Sequence, residues 1–320
     1  MSELPTTLPF PLAIPAEPAG DTWVTRSGAT TIRLTNSDKI FWPETGYTKG
    51  DLLTYYFNVA LAILPHLTDR PLTLKRQPEG IAGPYFYEKD APSYTPQWMP
   101  TLDVPAEKGA RTIRALTIRD VASLLVVVNL GCIELHPWLA RGPEQEHPTH
   151  AVFDLDPFRP AGWDDVRHVA DLIRVALERL DLASVPKTSG RSGMQVFVPL
   201  DGSQPFEVVR RFVNEVCTLV HRAEPSATTF EWQIARRAGK VFLDANMNRR
   251  AASFAAPYSV RADWNAPVSM PFTWPEIDEI DPHAFTIATA IPRINERDDP
   301  FAAADERGAD LTPALRALGL

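Results

Sequence analysis

Ala151-Val152-Phe153-Asp154-Leu155-Asp156-Pro157 is the stretch on which the reading of this chain turns. Val152, Phe153 and Leu155 make it a β-strand with a buried face, and Pro157 ends the ladder beside a loop. Strand side chains alternate, so Asp154 and Asp156 point the same way, roughly 6–7 Å apart. Carboxylates held that close repel each other, and a divalent cation between them is the simplest remedy. A third acid, Asp244, closes Lys240-Val241-Phe242-Leu243-Asp244, again where an apolar run gives way to a polar one, Asn246 to Arg250. Three carboxylates at strand ends can hold two Mg²⁺ or Mn²⁺ ions and leave positions open for substrate phosphates. A single aspartate there could equally cap a strand or pair with an arginine. The three together, with basic residues around them, favour the metal reading.

With 320 residues, 44% hydrophobic and 22% charged, the chain has the make-up of a soluble globular protein. No apolar stretch reaches membrane-spanning length: the run around Val126-Val127-Val128 is broken by Asn129 and Glu134. Met1 to Pro5 lacks the basic start and apolar core of a signal peptide, so a cytoplasmic protein with no membrane partner is expected. Cys132 and Cys217, both in apolar surroundings, argue against a disulfide framework or a cysteine metal site. The net charge of −8 is uneven. Glu231 to Arg261 carries six basic and two acidic residues; Glu276 to Asp310 carries ten acids and three arginines. A local phosphate-binding face on an acidic body fits that distribution.

Residues 1–22, rich in Pro, Ala and Thr, show no regular period and are expected to be irregular. Thr48 caps a predicted helix whose apolar positions run from Leu52 to Leu64, with Pro65 at its end. Pro71 to Arg76 and Tyr85 to Lys89 read as strands, and a second helix runs from Thr117 to about Leu130. Val166, Val169, Ala170, Ile173, Leu177 and Leu180 mark an amphipathic helix over 163–182, and Pro205 to His221 another. Met194 to Leu200 is a strand, and Thr229 to Ile234 with Lys240 to Asp244 reads as a hairpin. Strands and helices mix without strict alternation, so the class is α/β or α+β. Ser189-Gly190-Arg191-Ser192-Gly193 packs glycines, hydroxyls and a guanidinium into five residues, which suits a triphosphate or a plain tight turn.

From about Leu34 to Glu276 the chain resembles a known family, the polymerase domain of bacterial non-homologous end-joining ligase D, in the archaeo-eukaryotic primase superfamily. The resemblance rests on Leu34 to Lys39, Trp42 to Lys49, Glu134-Leu135-His136-Pro137-Trp138, Val152 to Pro157, Lys187-Thr188-Ser189-Gly190, Val241 to Asp244 and Ala256 to Arg261. It implies a primase-polymerase fold, an RRM-like catalytic sheet beside an N-terminal α/β module, with residues 23–300 as the catalytic domain and 301–320 as a tail. It implies that Asp154, Asp156 and Asp244 bind two Mn²⁺ or Mg²⁺ ions. Lys75, His136, Ser189, Arg237 and Arg261, with Gly190 and Arg191, match groups that bind the incoming nucleotide. Asn36, Lys39 and Lys49 match a pocket for the 5′-phosphate across a DNA gap, and Phe86 and Tyr87 match aromatics that stack on the template. The chain also departs from the pattern: Ser192 stands in place of a phosphate-binding lysine, and Gln195 in place of a histidine. Met247 likewise replaces a polar residue.

The implied activity is template-dependent nucleotide addition that fills short gaps or extends broken ends and accepts ribonucleotides. The implied partners are 5′-phosphorylated gapped or broken duplex DNA and NTP or dNTP in a bacterial cytoplasm or nucleoid. No segment resembles an adenylating ligase, so a ligase would act in trans, with Ku a further candidate partner. A primase that starts chains de novo and a non-catalytic 5′-phosphate end-binding factor are the alternatives.

Overall fold

The computed structural model describes residues 14–320 except 21, 29, 106–110, 144 and 307, so most of the predicted irregular N-terminal segment lies outside the described residues. In chain order the strands are β1 (Glu17–Ala19), β2 (Thr22–Ser27), β3 (Thr30–Leu34), β4 (Leu72–Arg76), β5 (Phe86–Glu88), β6 (Thr101–Pro105), β7 (Thr112–Leu116), β8 (Cys132–Pro137), β9 (His150–Pro157), β10 (Val185–Thr188), β11 (Met194–Pro199), β12 (Thr228–Thr229) and β13 (Val241–Asp244). The helices are α1 (Lys49–Asn58), α2 (Ala60–Leu67), α3 (Val121–Asn129), α4 (Trp163–Arg179), α5 (Phe206–Ala223), α6 (Ala290–Glu296), α7 (Pro300–Asp305) and α8 (Thr312–Ala317).

Five strands in the order β10-β11-β9-β13-β12 form the sheet that matters for function, with only the β12–β13 pair parallel. Period-two alternation sorts its residues cleanly. Ala151, Phe153 and Leu155 of β9, Met194, Val196 and Val198 of β11, and Val241 and Leu243 of β13 face α4 and α5. Those helices offer Val166, Val169, Ala170, Ile173 and Leu177, and Val209, Phe212, Val213, Val216 and Val220, at three- and four-residue spacing. Each such buried side chain contributes about 1.5–3 kcal/mol before entropy is counted. The opposite face of the sheet therefore receives Val152, Asp154 and Asp156.

The N-terminal half packs α1, α2 and α3 against β3, β4 and β8 around a second core, which takes in Phe41, Trp42, Tyr55, Tyr56, Val260 and Met270. Here β4 lies between β5 and β8, and β6 pairs with β7. Tyr55 and Tyr56 on α1 donate to the Tyr258 and Ile133 carbonyls at 2.8 and 2.7 Å, tying the helix to β8 and to the chain near residue 258. Thr48 caps α1 as expected, exchanging bonds with Asp51.

Several expectations need correction. Strand β1 (Glu17–Ala19) and Thr22, the first residue of β2, fall in the segment expected to be irregular; Pro18 sits where an edge strand tolerates it. The single helix over 48–65 is two, broken at Val59, and Pro65 lies inside α2. The carbonyl it leaves unpaired belongs to the exposed Leu61. The predicted hairpin is absent: β12 and β13 run parallel, and a 3₁₀ turn at Ile234–Arg236 makes the crossing. In the segment expected as a tail, Phe301, Leu311 and Ala314 are buried. Among the described residues no helix is long and apolar enough to cross a membrane. Cys132 and Cys217 are unbridged, and burial pushes both thiols up to about 12.

Candidate active site

Strand register builds the centre of the site. Lys187 pairs with Gln195, Gln195 with Asp154, and Asp154 with Asp244, so four side chains from four adjacent strands form one row. Asp156 lies two residues along β9 on the same face, opposite Phe242. The three aspartates singled out from sequence are thus neighbours on one sheet face. Burial, and then the charge of Asp156, raise the Asp154 carboxyl above its ordinary value. Asp156 is raised by burial and by Asp244, against the pull of Arg261, Arg237 and Arg191. Proximity of like charges in a poorly solvated place is the cause in both.

The donor set suits hard divalent cations: oxygen ligands, acidic and crowded. As the side chains stand, Asp154 Oδ1 accepts from Gln195 Nε2 at 2.9 Å, and Asp244 Oδ1 accepts from the Asn246 amide at 2.8 Å. Among the described residues no group of three or more His, Cys, Asp or Glu that could hold a metal ion is formed. By donor type and shared sheet face the three carboxylates suit a divalent cation.

Four of the predicted nucleotide-binding residues gather on one carboxylate. Lys75 Nζ donates to Glu134 Oε1 at 2.7 Å, His136 Nε2 lies 2.9 Å from Oε2, and Arg261 Nε donates to Oε2 at 2.9 Å. Arg191 Nη2 comes to 4.0 Å. Burial would raise Glu134, but the His136 hydrogen bond and the Arg261 charge outweigh it and hold the carboxyl well below the usual range. Burial lowers His136, with Glu134 opposing.

The Ser189–Gly193 turn is a folded nest. Ser189 Oγ accepts from the Arg191 and Gly193 amides at 3.2 and 3.1 Å. Gly190 has φ +72°, and a Cβ there would stand 2.6 Å from Arg261 Cγ, so glycine is required twice over. A Cβ on Gly193 would meet the Leu155 carbonyl at 2.5 Å and Asp156 Oδ1 at 3.0 Å, which measures how closely the turn lies against the carboxylates. Ser192 is exposed, and Gln195 is buried with its Oε1 unpartnered.

Arg237 is held differently. Its guanidinium lies 3.6 Å from the Phe242 ring centroid and 4.8 Å from that of Phe158, and it donates to the Glu231 and Trp232 carbonyls. It is buried beside the carboxylate face with two of its donors already committed to main chain.

Asn36, Lys39 and Lys49 come together where the chain enters α1. The Lys39 amide donates to Asn36 O at 3.1 Å and the Lys49 amide to Lys39 O at 2.8 Å. Asn36 has φ +52°. Lys39 pairs with Glu79 at 2.6 Å, and Lys49 is buried with Nζ donating to Thr35 O at 2.7 Å. Lys49 is therefore no solvated surface lysine. Burial, and then the charge of Lys39, lower it to about 8.

Phe86 and Tyr87 are both exposed, because the three-residue edge strand β5 has no layer beyond it. An open cleft of about 700 Å³ runs from Tyr87, Lys89 and His136 to Trp232, Asp244, Met247 and Arg249, so both halves of the molecule wall it. Sequence reasoning did not single out Lys89, Trp232 or Arg249, nor Glu134 and Lys187 as more than motif letters. Trp232 is 65% exposed. A tryptophan among polar residues near Asp244 was the available signal for it.

The LigD primase-polymerase domain family matches residues 48–301. The multifunctional non-homologous end joining protein LigD of Mycolicibacterium smegmatis is 32% identical over 276 residues, 86% of this chain and 36% of that protein. The bifunctional LigD of Bacillus subtilis is 29% identical over 84% of this chain and 43% of its own length. The chain thus spans less than half of these curated relatives. Among solved structures, the polymerase domain of Mycobacterium tuberculosis ligase D in complex with DNA superposes with a TM-score of 0.80 at 31% identity, covering 87% of this chain and 99% of that one. Such agreement in sequence and in three dimensions makes the fold that of the ligase D polymerase domain, mixed α/β, and the chain belongs to the LigD primase-polymerase domain family.

Proposed function

We propose that the chain is a template-directed nucleotidyltransferase of DNA repair, extending a 3′-hydroxyl across a gap or break that ends in a 5′-phosphate. The observation that carries this reading is the row of Asp154 and Asp244 with Asp156 alongside on one sheet face, where Asp244 lines an open cleft that Lys89 and His136 wall from the other half. The 3′-oxygen attacks the α-phosphorus, the bond to the bridging oxygen breaks, and pyrophosphate leaves. Asp154, Asp156 and Asp244 would hold two Mg²⁺ or Mn²⁺ ions, which when bound supply Lewis-acid stabilisation of the transferring phosphoryl group. Lys75, His136, Arg191, Arg261 and the Ser189-Gly190 turn present donors to the phosphate oxygens. Asn36, Lys39 and Lys49, beside the amide-rich start of α1, receive the 5′-phosphate. Tyr87 and Phe86 offer ring faces to template bases. Ribonucleotides are accepted, and nick sealing falls to a ligase activity, with Ku a candidate for bringing ends together.

Purified protein with Mn²⁺, a gapped duplex carrying a 5′-phosphate, and either ribo- or deoxyribonucleotides should add templated nucleotides up to the gap edge. Addition on bare template without a primer would favour a primase. Binding of 5′-phosphorylated ends with no addition in either assay would favour an end-binding factor.

Two results follow from the cleft and the pocket. Trp232→Ala should weaken binding of gapped duplex about tenfold, since stacking on an aromatic ring is worth about 1–3 kcal/mol per base. Trp232→Phe should bind nearly as well as wild type, by fluorescence anisotropy. Lys49 predicts a pH dependence. Its folded value, about 8, lies below its unfolded one, so the cationic form is lost as pH rises through about 8. A terminal phosphate is already doubly charged above pH 7. The preference for 5′-phosphate over 5′-hydroxyl duplex should therefore shrink between pH 7 and pH 9. Folding stability moves the other way, because a buried amine that can shed its proton costs less.

A further inference from the structure

We propose that Glu134 is the positioning residue of the nucleotide site, a buried carboxylate that sets Lys75, His136 and Arg261 where a triphosphate meets them. The inference rests on the nucleotidyltransferase reading and assigns a role to a residue that the reading leaves idle. Its side chain is 1% exposed on β8, directly opposite Lys75 on β4. Besides the three side chains, the Ala262 amide donates to Oε1 at 3.2 Å, so both carboxylate oxygens are engaged.

Donor arithmetic shows why this carboxylate does not use up the site. An ammonium has three protons and a guanidinium five, and Glu134 takes one from Lys75 and one from Arg261. Lys75, Arg191 and Arg261 set three positive charges against the carboxylates of Glu134 and Asp263, so the cluster keeps one surplus positive charge that an anion can complete. Without the carboxylate the cations would repel one another.

Glu134 also connects the two halves of the molecule. Arg261 takes Glu134 with Nε and the Ser189 carbonyl with Nη1 at 2.5 Å, while its Cγ fills the space that a Gly190 side chain would need. The same turn lies against Asp156 through Gly193. A chain of contacts thus runs from β8 through Arg261 to the nest beside the carboxylate row. Buried ion pairs add little to stability compared with apolar packing. A network this closely engaged is better explained by preorganisation of binding groups.

The test is calorimetric titration of inorganic tripolyphosphate into wild type and Glu134→Gln, alongside steady-state extension assays. Glu134→Gln should weaken tripolyphosphate binding at least tenfold and raise the nucleotide KM to match. Changes in kcat and in affinity for 5′-phosphorylated duplex should stay within about threefold. Glu134→Asp, which keeps the charge one methylene further back, should fall between the two, and it carries the comparison if the glutamine variant does not fold. Unchanged tripolyphosphate affinity would overturn the proposal. Tighter binding would also overturn it, because Glu134 would then compete with phosphate. If Glu134→Gln weakens tripolyphosphate binding yet wild type extends no primer, the nucleotidyltransferase reading fails and the assignment of Glu134 survives.

Discussion

Asp154→Asn and Asp156→Asn should each lower metal-dependent nucleotide addition by about a thousandfold or more, the loss of several kcal/mol of transition-state stabilisation. Asparagine keeps the size and one oxygen but neither the charge nor the second ligand oxygen. The same substitutions remove one of the three mutually repelling carboxylates on the sheet face. Without divalent cations, the melting temperature of either variant should therefore equal or exceed that of wild type. Affinity for the 5′-phosphorylated end should be unchanged, because Asn36, Lys39 and Lys49 sit at the start of α1 and not on the five-stranded sheet. Dead chemistry in a sound fold is the expected signature, read by primer extension, thermal melting and anisotropy on the same samples. A variant that still extends primers at a tenth of the wild-type rate would sink the assignment of that residue.

Phe301→Ala should have the largest effect on stability, about 3–5 kcal/mol, or roughly 10 °C in melting temperature. The ring is buried against His66, His150 and Phe197, at centroid distances of 5.2, 6.1 and 5.3 Å. Helix α7 carries it into place, and two pairs clip that helix: His66 Nε2 with Asp299 at 2.7 Å and His150 Nε2 with Asp305 at 2.9 Å. His150 opens β9, so the C-terminal segment buttresses the strand that bears Asp154 and Asp156. Nucleotide addition at temperatures well below melting should survive. Melting within a degree or two of wild type would show that Phe301 does not buttress β9.

The parts of the fold legible in the sequence were those governed by a short-range period. Alternation placed Asp154 and Asp156 on one face, and three- and four-residue spacing marked α4 and α5. Cross-strand register was not legible. Nothing local says that Asp244 lies opposite Asp154, or that Lys187 and Gln195 continue the row. Short edges failed for a related reason. Strand β1 is three residues long with a proline in it, and β12 is two residues long, too little for any period to register. The hairpin expected at 229–244 assumed that neighbouring strands turn back on each other, whereas a 3₁₀ crossing made them parallel.

At the candidate site, residue types were legible and partnerships were not. Glu134 read as part of a motif, because a buried acid gives no sign in sequence of the cations that will surround it. By composition alone Lys49 read as a solvated surface lysine, since its burial depends on the turn at Thr35 and Asn36 folding over it. Trp232 and Tyr87, 145 residues apart in the chain, wall the same cleft, which only the packing of the two halves reveals.

The central claim is that Asp154, Asp156 and Asp244 together take up divalent ions. Crystals soaked with Mn²⁺ and a non-hydrolysable nucleoside triphosphate, measured at the manganese absorption edge, address it directly. The account predicts anomalous-difference peaks bounded by these three carboxylates, with the triphosphate reaching toward Lys75 and Arg261. Nucleotide bound with no manganese among the three, or manganese bound only elsewhere, would contradict it.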